Sequence, residues 1–185
     1  GTLKDGTTIN NESLKNILAN HKIWIDTEGN EGKRADLNGA NLDGANLQKA
    51  DLRRANLQGA NLRAANLQAA DLRQAKLQEA HFDFANLQEA ILHETNLQKA
   101  HLRYANLQMA DLRYADLQDA MLRRAMLQKT TITDADLKGC LLYGVDMLPF
   151  NYFVTELVLP YYLKNFGDAA VAAYDLDELS IHPGR

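Results

Sequence analysis

The chain has one cysteine, Cys140, in 185 residues, so no disulfide framework exists within it. Strong charge of either sign is also missing. The formal net charge is −4, with both signs spread along the chain, which gives no reason to expect affinity for nucleic acid or a membrane surface. No apolar run reaches membrane-spanning length. The best, Phe150 to Leu163, is interrupted by Asn151, Thr155, Glu156 and Pro160. Gly-rich phosphate loops, Walker motifs and a Ser-His-Asp arrangement are absent, which argues against an enzyme. What fills the middle of the chain is almost entirely Ala and Leu at fixed spacing.

From Ala35 the sequence reads A-D-L-N-G, A-N-L-D-G, A-N-L-Q-K, A-D-L-R-R and onward to about Leu148. The central leucines run Leu37, Leu42, Leu47 to Leu142 and Met147, broken only by Phe82 and Ile132. The alanines two residues earlier give way only to Thr95, Thr130, Cys140 and Val145. A helix cannot use this pattern, because a step of five residues turns each leucine by about 140° and leaves no apolar face. A straight strand cannot use it either, since an odd step flips every second leucine outward. The pattern works if the chain bends once per unit. Each Ala and Leu then points into one core, the other three residues point out, and short parallel strands stack. Parallel crossovers are right-handed, so a right-handed coil is expected.

A second rhythm sets the number of faces. Leu-Gln alternates with Leu-Arg at a lag of ten, as in Gln48, Arg53, Gln58 and Arg63. Three faces would stack glutamine on arginine. Four faces stack Gln48, Gln68, Gln88, Gln108 and Gln128 as one ladder, an arrangement that stabilises stacked parallel strands. The same lag of twenty aligns Asp43, Arg63, Asp83 and Arg103 with alternating sign. The expected architecture is an all-β solenoid with four faces, twenty residues per coil and almost six coils. At the usual strand spacing it is a rod roughly 25–30 Å long.

Tandem A(D/N)LXX over Ala35 to about Leu148 resembles the pentapeptide-repeat proteins, and the segment His21 to Arg34 resembles the lead-in of bacterial members. That resemblance implies a right-handed quadrilateral parallel β-helix, in agreement with the periodicity. The motif is specific for fold and weak for function.

Three regions follow: residues 1–34 as an N-terminal cap, 35–148 as the β-helix, and 149–185 as a C-terminal helical cap and tail. In the first, Asn11 to Asn20 predicts a short helix with Leu14, Ile17 and Leu18 on one side. Ile23-Trp24-Ile25 reads as a strand, followed by a turn around Gly29 and Gly32, with Trp24 expected over the first coil. In the last, Asn151 to Phe166 predicts a helix broken or kinked at Pro160. Phe150, Tyr152, Phe153, Leu157 and Tyr161 are too apolar to hang in water and are expected to cap the last coil. The resemblance implies that this end also forms a two-fold homodimer.

Chemistry is sparse. His81 and His101 stack at a lag of twenty, with Asp83 a conceivable third metal ligand, but they read as solvated ladder positions, and no metal or cofactor is expected. Arg53, Arg73, His93 and Arg113 form a basic column. Asp51, Asp71 and Asp111 lie two residues before its arginines, so local ion pairs are expected. Cys140, at an inward position, reads as a buried small hydrophobe.

The functional expectation is a non-catalytic, rigid scaffold for an unknown protein partner, in the cytoplasm rather than exported. The candidate partner patch lies on the face centred on Phe82, Leu102 and Leu122. It comprises His81, Phe84, His101, Arg103, Tyr104, Met121, Arg123 and Arg124, which replace the small or amide residues Asn41, Gly44, Asn61 and Ala64 of the same face. The alternative is a DNA mimic that protects a topoisomerase (gyrase), as the resemblance allows. It requires a strongly acidic rod, yet residues 35–148 hold 13 Lys or Arg against 14 Asp or Glu, a net of −1.

Overall fold

A computed structural model describes Thr2, residues 9–142, and residues 144–145. The predicted C-terminal cap and dimer contact (Phe150, Tyr152, Phe153, Leu157, Tyr161) lies outside the described residues. Among those described, no helix is long and apolar enough to cross a membrane.

From Asp36 to Leu141 the backbone climbs in coils of twenty residues. Asp36 pairs with Asn56, Asn56 with Lys76, and Lys76 with Asn96, each in parallel, and the three other faces repeat the lag. The expected short strands shrink to single-residue bridges, because a turn takes up the rest of every unit.

One unit, Ala65 to Ala69, shows why five residues suffice. The Ala65 N–H donates to Leu62 O at 3.1 Å and closes the preceding turn. Asn66 donates back to Ala45 O (2.9 Å), whereas Leu67 and Ala69 donate forward to Asn86 O (2.7 Å) and Gln88 O (2.9 Å). The remaining donor, Gln68 N–H, reaches the side-chain Oδ1 of Asn66 at 3.1 Å. All five N–H groups are therefore satisfied, as buried or half-buried backbone requires. Where Asp or Asn precedes the leucine, its side chain is the acceptor for its own turn, the Asx geometry that short polar side chains favour.

The turns carry a conformational cost. The residue two after each leucine has φ between +51° and +63° from Lys49 through Asp134, the left-handed region that type II corners need. Few of these corners are glycine; alanine, glutamate, tyrosine and phenylalanine all occupy them. Each non-glycine corner costs about 1–2 kcal/mol relative to a right-handed conformation. Stacking must offset that cost at every unit.

The core is the inward Ala and Leu columns. Leu37 through Leu142 are buried, with Phe82 filling one leucine position completely. Thr95, buried at an alanine position, satisfies its hydroxyl by donating to Leu92 O at 2.6 Å. Cys140 is buried as expected, and burial pushes its thiol up to about 12, far from a reactive thiolate.

The N-terminal cap departs from expectation. Helix α1 runs Asn11–Asp26, so Ile23, Trp24 and Ile25 are helical and not a strand. A reciprocal capping box between Asn10 and Ser13 starts it. Leu14, Ile17, Leu18 and His21 recur at helical spacing and dock on the open end of the core. That stripe overrides the strand propensity of Ile-Trp-Ile, since extending the helix places His21 in the seam. Gly29 (φ +92°) ends the helix by donating to Trp24 O at 2.8 Å. A Cβ on Gly32 would overlap Asn20 O and Trp24 N, so the chain can cross the helix there only as glycine. Trp24 does not cover the first coil. It is half-exposed and stacks on His21 at 5.7 Å, while Ile9 and Leu14 occupy the core position. His21 is fully buried, and its Nδ1 accepts the Ala35 N–H at 3.0 Å, tying the cap to the first unit.

Three outcomes are expected. Leu87→Ala should lose about 3 kcal/mol in denaturant titration, because the stack cannot collapse around the void. At the corners the signs reverse between two substitutions. Ala64→Gly should raise stability by roughly 0.5–1 kcal/mol, and Gly59→Ala should lower it similarly, from backbone strain alone, since nothing lies within 4 Å of the added methyl. The third concerns acid. Burial, working against the nearby Asp51 carboxylate, holds His21 below its ordinary value of 6.5. The unfolded state therefore binds the extra proton, and the cap's contribution is full above about pH 6.5 and lost as pH falls toward the folded value. Trp24, the only tryptophan, should shift its emission on acidification to about pH 5 before far-UV circular dichroism of the repeat changes. Simultaneous loss of both signals would contradict this.

Candidate functional site

The face centred on Phe82, Leu102 and Leu122 gathers the residues singled out in the sequence. Its corner column runs Gly44, Ala64, Phe84, Tyr104 and Arg124, stacked because the corners are twenty residues apart. Phe84 and Tyr104 lie parallel, with centroids 5.0 Å apart and planes 6° apart. They remain 55% and 40% exposed. Arg124 lays its guanidinium 5.7 Å from the Tyr104 ring and donates to the Tyr104 hydroxyl at 3.3 Å. His81, His101 and Met121 sit half-buried on the same face, beside exposed Arg103 and Arg123. The structure thus brings together the whole predicted patch.

Asp83 behaves differently from its expected place. It occupies an outward position, yet it is 1% exposed. Arg103 grips it with Nε at 3.0 Å, Nη2 at 2.9 Å and its backbone N–H at 3.1 Å. Arg63 approaches from the coil on the other side, at 3.9 Å. Burial alone would raise the Asp83 carboxyl, but the Arg103 bonds hold it below its ordinary value. The alternation Arg63, Asp83, Arg103 was visible at the lag of twenty; the burial was not. It follows from His101, which offers no side-chain oxygen to the Arg103 N–H, so Asp83 supplies it from the neighbouring coil.

On the opposite face the expected ion pairs form. Asp51, Asp71 and Asp111 meet Arg53, Arg73 and Arg113 at 2.6 Å, each within one unit. Arg hydrogen bonding holds Asp51 and Asp111 below the ordinary carboxylate value. The column is zwitterionic, and such exposed pairs contribute at most about 1 kcal/mol each. Between this face and the end of α1 lies a cleft of about 730 Å³, walled by Trp24, Ile25, Arg54 and Gln74 among others. Its Arg54 and Gln74 are bonded to each other at 3.0 Å, and Gln74 to Glu94 at 2.7 Å. The sequence reading missed this cleft because it placed Trp24 on a strand.

The amide ladders are partial. Gln48 donates to Gln68 at 3.1 Å and Gln108 to Gln128, but Gln98 and Gln118 turn to Asp116 and Asp136. A charged acceptor makes the stronger hydrogen bond, so the glutamines beside one choose it.

A family model described as pentapeptide repeats matches residues 33–68, 65–103 and 105–144. No curated protein matches the chain. Among solved structures, a pentapeptide repeat protein from the Arabidopsis thaliana thylakoid lumen is 24% identical, with TM-score 0.54 over 62% of this chain and 74% of that one. HetL, a pentapeptide repeat protein involved in heterocyst differentiation regulation in the cyanobacterium Nostoc, is 34% identical, with TM-score 0.41 over 62% of each chain. QnrB1, a plasmid-mediated fluoroquinolone resistance protein, is 21% identical, with TM-score 0.44 over 74% of this chain and 76% of that one.

Proposed function

The chain belongs to the pentapeptide-repeat family, and from that premise we propose that it is a non-catalytic, rigid scaffold, a right-handed quadrilateral β-helix whose Phe84–Tyr104 face binds a protein partner. The observation that supports this reading is the exposed stack of Phe84 on Tyr104, extended by Arg124. The corner needs none of these residues: Gly44 and Ala64 make the same turn in the same column. Aromatics, Met and Arg are the residue types enriched where interfaces are fully buried. A rod of satisfied backbone holds their Cα positions in place, so little backbone order has to be gained on binding, which favours affinity. The partner that fits presents an apolar recess flanked by carboxylates, to receive Phe84 and Tyr104 and to face Arg123 and Arg124.

The near balance of charge along the repeat argues against a DNA mimic, which must imitate a phosphate backbone. The competing explanation of the aromatic column is a stabilising ladder, since a stacked pair contributes about 0.5–1.5 kcal/mol. Tyr104→Ala separates the two. A binding face loses its partner in affinity capture while melting within a few degrees of wild type. A ladder melts lower and keeps the same captured proteins, and that result would overturn the proposal.

A further inference from the structure

The column that runs beside the aromatic corners reads Asn41, Asn61, His81, His101 and Met121. Its first two members do what the repeat requires. Asn41 and Asn61 accept the N–H of Asp43 and Arg63 at 3.2 Å, and Asn61 donates to Asn41 at 3.2 Å. The histidines abandon that work. Their rings lie 4.4 Å apart, and the turn N–H that His101 would have capped goes to Asp83. The Nδ1 of His101 is itself buried and has no hydrogen-bond partner. An imidazole nitrogen held this way has lost water without replacing it. One ligand atom each from His81, Asp83 and His101 lies within 4.8 Å of the others.

We propose that His81, Asp83 and His101 form a binding site for a divalent late transition-metal ion, with zinc the reference case. Two imidazole nitrogens and one carboxylate oxygen suit such an ion and disfavour calcium and magnesium, which take oxygen ligands. Zinc bonds of about 2.0–2.2 Å require ligand atoms roughly 3.5 Å apart, so modest side-chain rotation closes the set. Asp83 has capacity for both partners: a carboxylate accepts at several positions, and metal-bound carboxylates are commonly oriented by further hydrogen bonds. Arg103 supplies those through Nε and Nη2. The positive charges of Arg103 and Arg63 oppose the cation and set a moderate affinity. Three protein ligands leave a coordination position open to water or to an outside donor. The site depends on no protein partner and stands whether or not the aromatic face binds one.

The natural test substitutions restore the column's own residue. His81→Asn and His101→Asn re-create the amide that Asn41 and Asn61 carry, so both variants are expected to melt with the wild type. Calorimetric titration of the intact chain with Zn²⁺ should give saturable one-to-one binding. Each single variant should weaken it at least tenfold, and the double variant should abolish it. On the wild type itself, Zn²⁺ should move the NMR signals of His81 and His101 and leave those of His21 and His93 in place. Absence of saturable binding would overturn the proposal. So would binding that survives in the double variant, or signals that move only at other histidines.

Discussion

Everything in this molecule rests on one constraint: a five-residue unit must satisfy five backbone N–H groups while turning a corner. The unit does so with one turn bond, three bonds to neighbouring coils and one side-chain acceptor, as Ala65 to Ala69 shows. Three of the five partners belong to other coils. An isolated unit therefore cannot hold its shape, and a left-handed corner such as Lys49 or Glu79 makes it less favourable still. Cooperativity between neighbours is built into the geometry, as in other solenoids.

The same constraint sorts the side chains. The inward Ala and Leu have no freedom, because they fill a core only two residues per unit wide. The position before each leucine favours an oxygen for the turn, which is why Asp and Asn dominate it, although Lys76, Ile91 and Met126 also stand there. The remaining two positions meet no backbone requirement beyond tolerance of a left-handed corner at the second. Local chemistry governs there, as when Gln98 prefers the Asp116 carboxylate to another glutamine. Departures at the oxygen-bearing position carry more meaning, since they withdraw that acceptor from the turn. His101 is such a departure, and buried Asp83 is its consequence.

On the face centred on Phe82, Leu102 and Leu122 the two kinds of departure lie side by side. Phe84, Tyr104 and Arg124 occupy corners where any residue makes the turn, so their exposure serves no folding need that Gly44 and Ala64 leave unmet. His81 and His101 stand where the turn ordinarily draws its own side-chain acceptor, and after His101 the Asp83 carboxylate takes that place. On the opposite face Asp51, Asp71 and Asp111 keep the turn acceptor and pair within the unit, while Ile91 stands in the same column without an oxygen. A rigid core lets one side of the rod diverge without disturbing the other, because the backbone bonds between coils repeat on every face whatever outward side chains that face carries.

The order of units, the four-sided coil, the inward columns and the intra-unit Asp–Arg pairs were all legible in the sequence, because each depends on spacing alone and spacing is strictly kept from Ala35 to about Leu148. The aromatic column was legible for the same reason. The extent of α1 was not. Ile23-Trp24-Ile25 has strand propensity, and only the docking of Leu14, Ile17, Leu18 and His21 on the open core made continued helix the better state. The burial of Asp83, the orphaned nitrogen of His101 and the cleft beside Trp24 were likewise decided by the tertiary structure. Each depends on which atoms of neighbouring coils or of the cap come within hydrogen-bond distance. Periodicity says which residues share a column, but not which of them water can still reach.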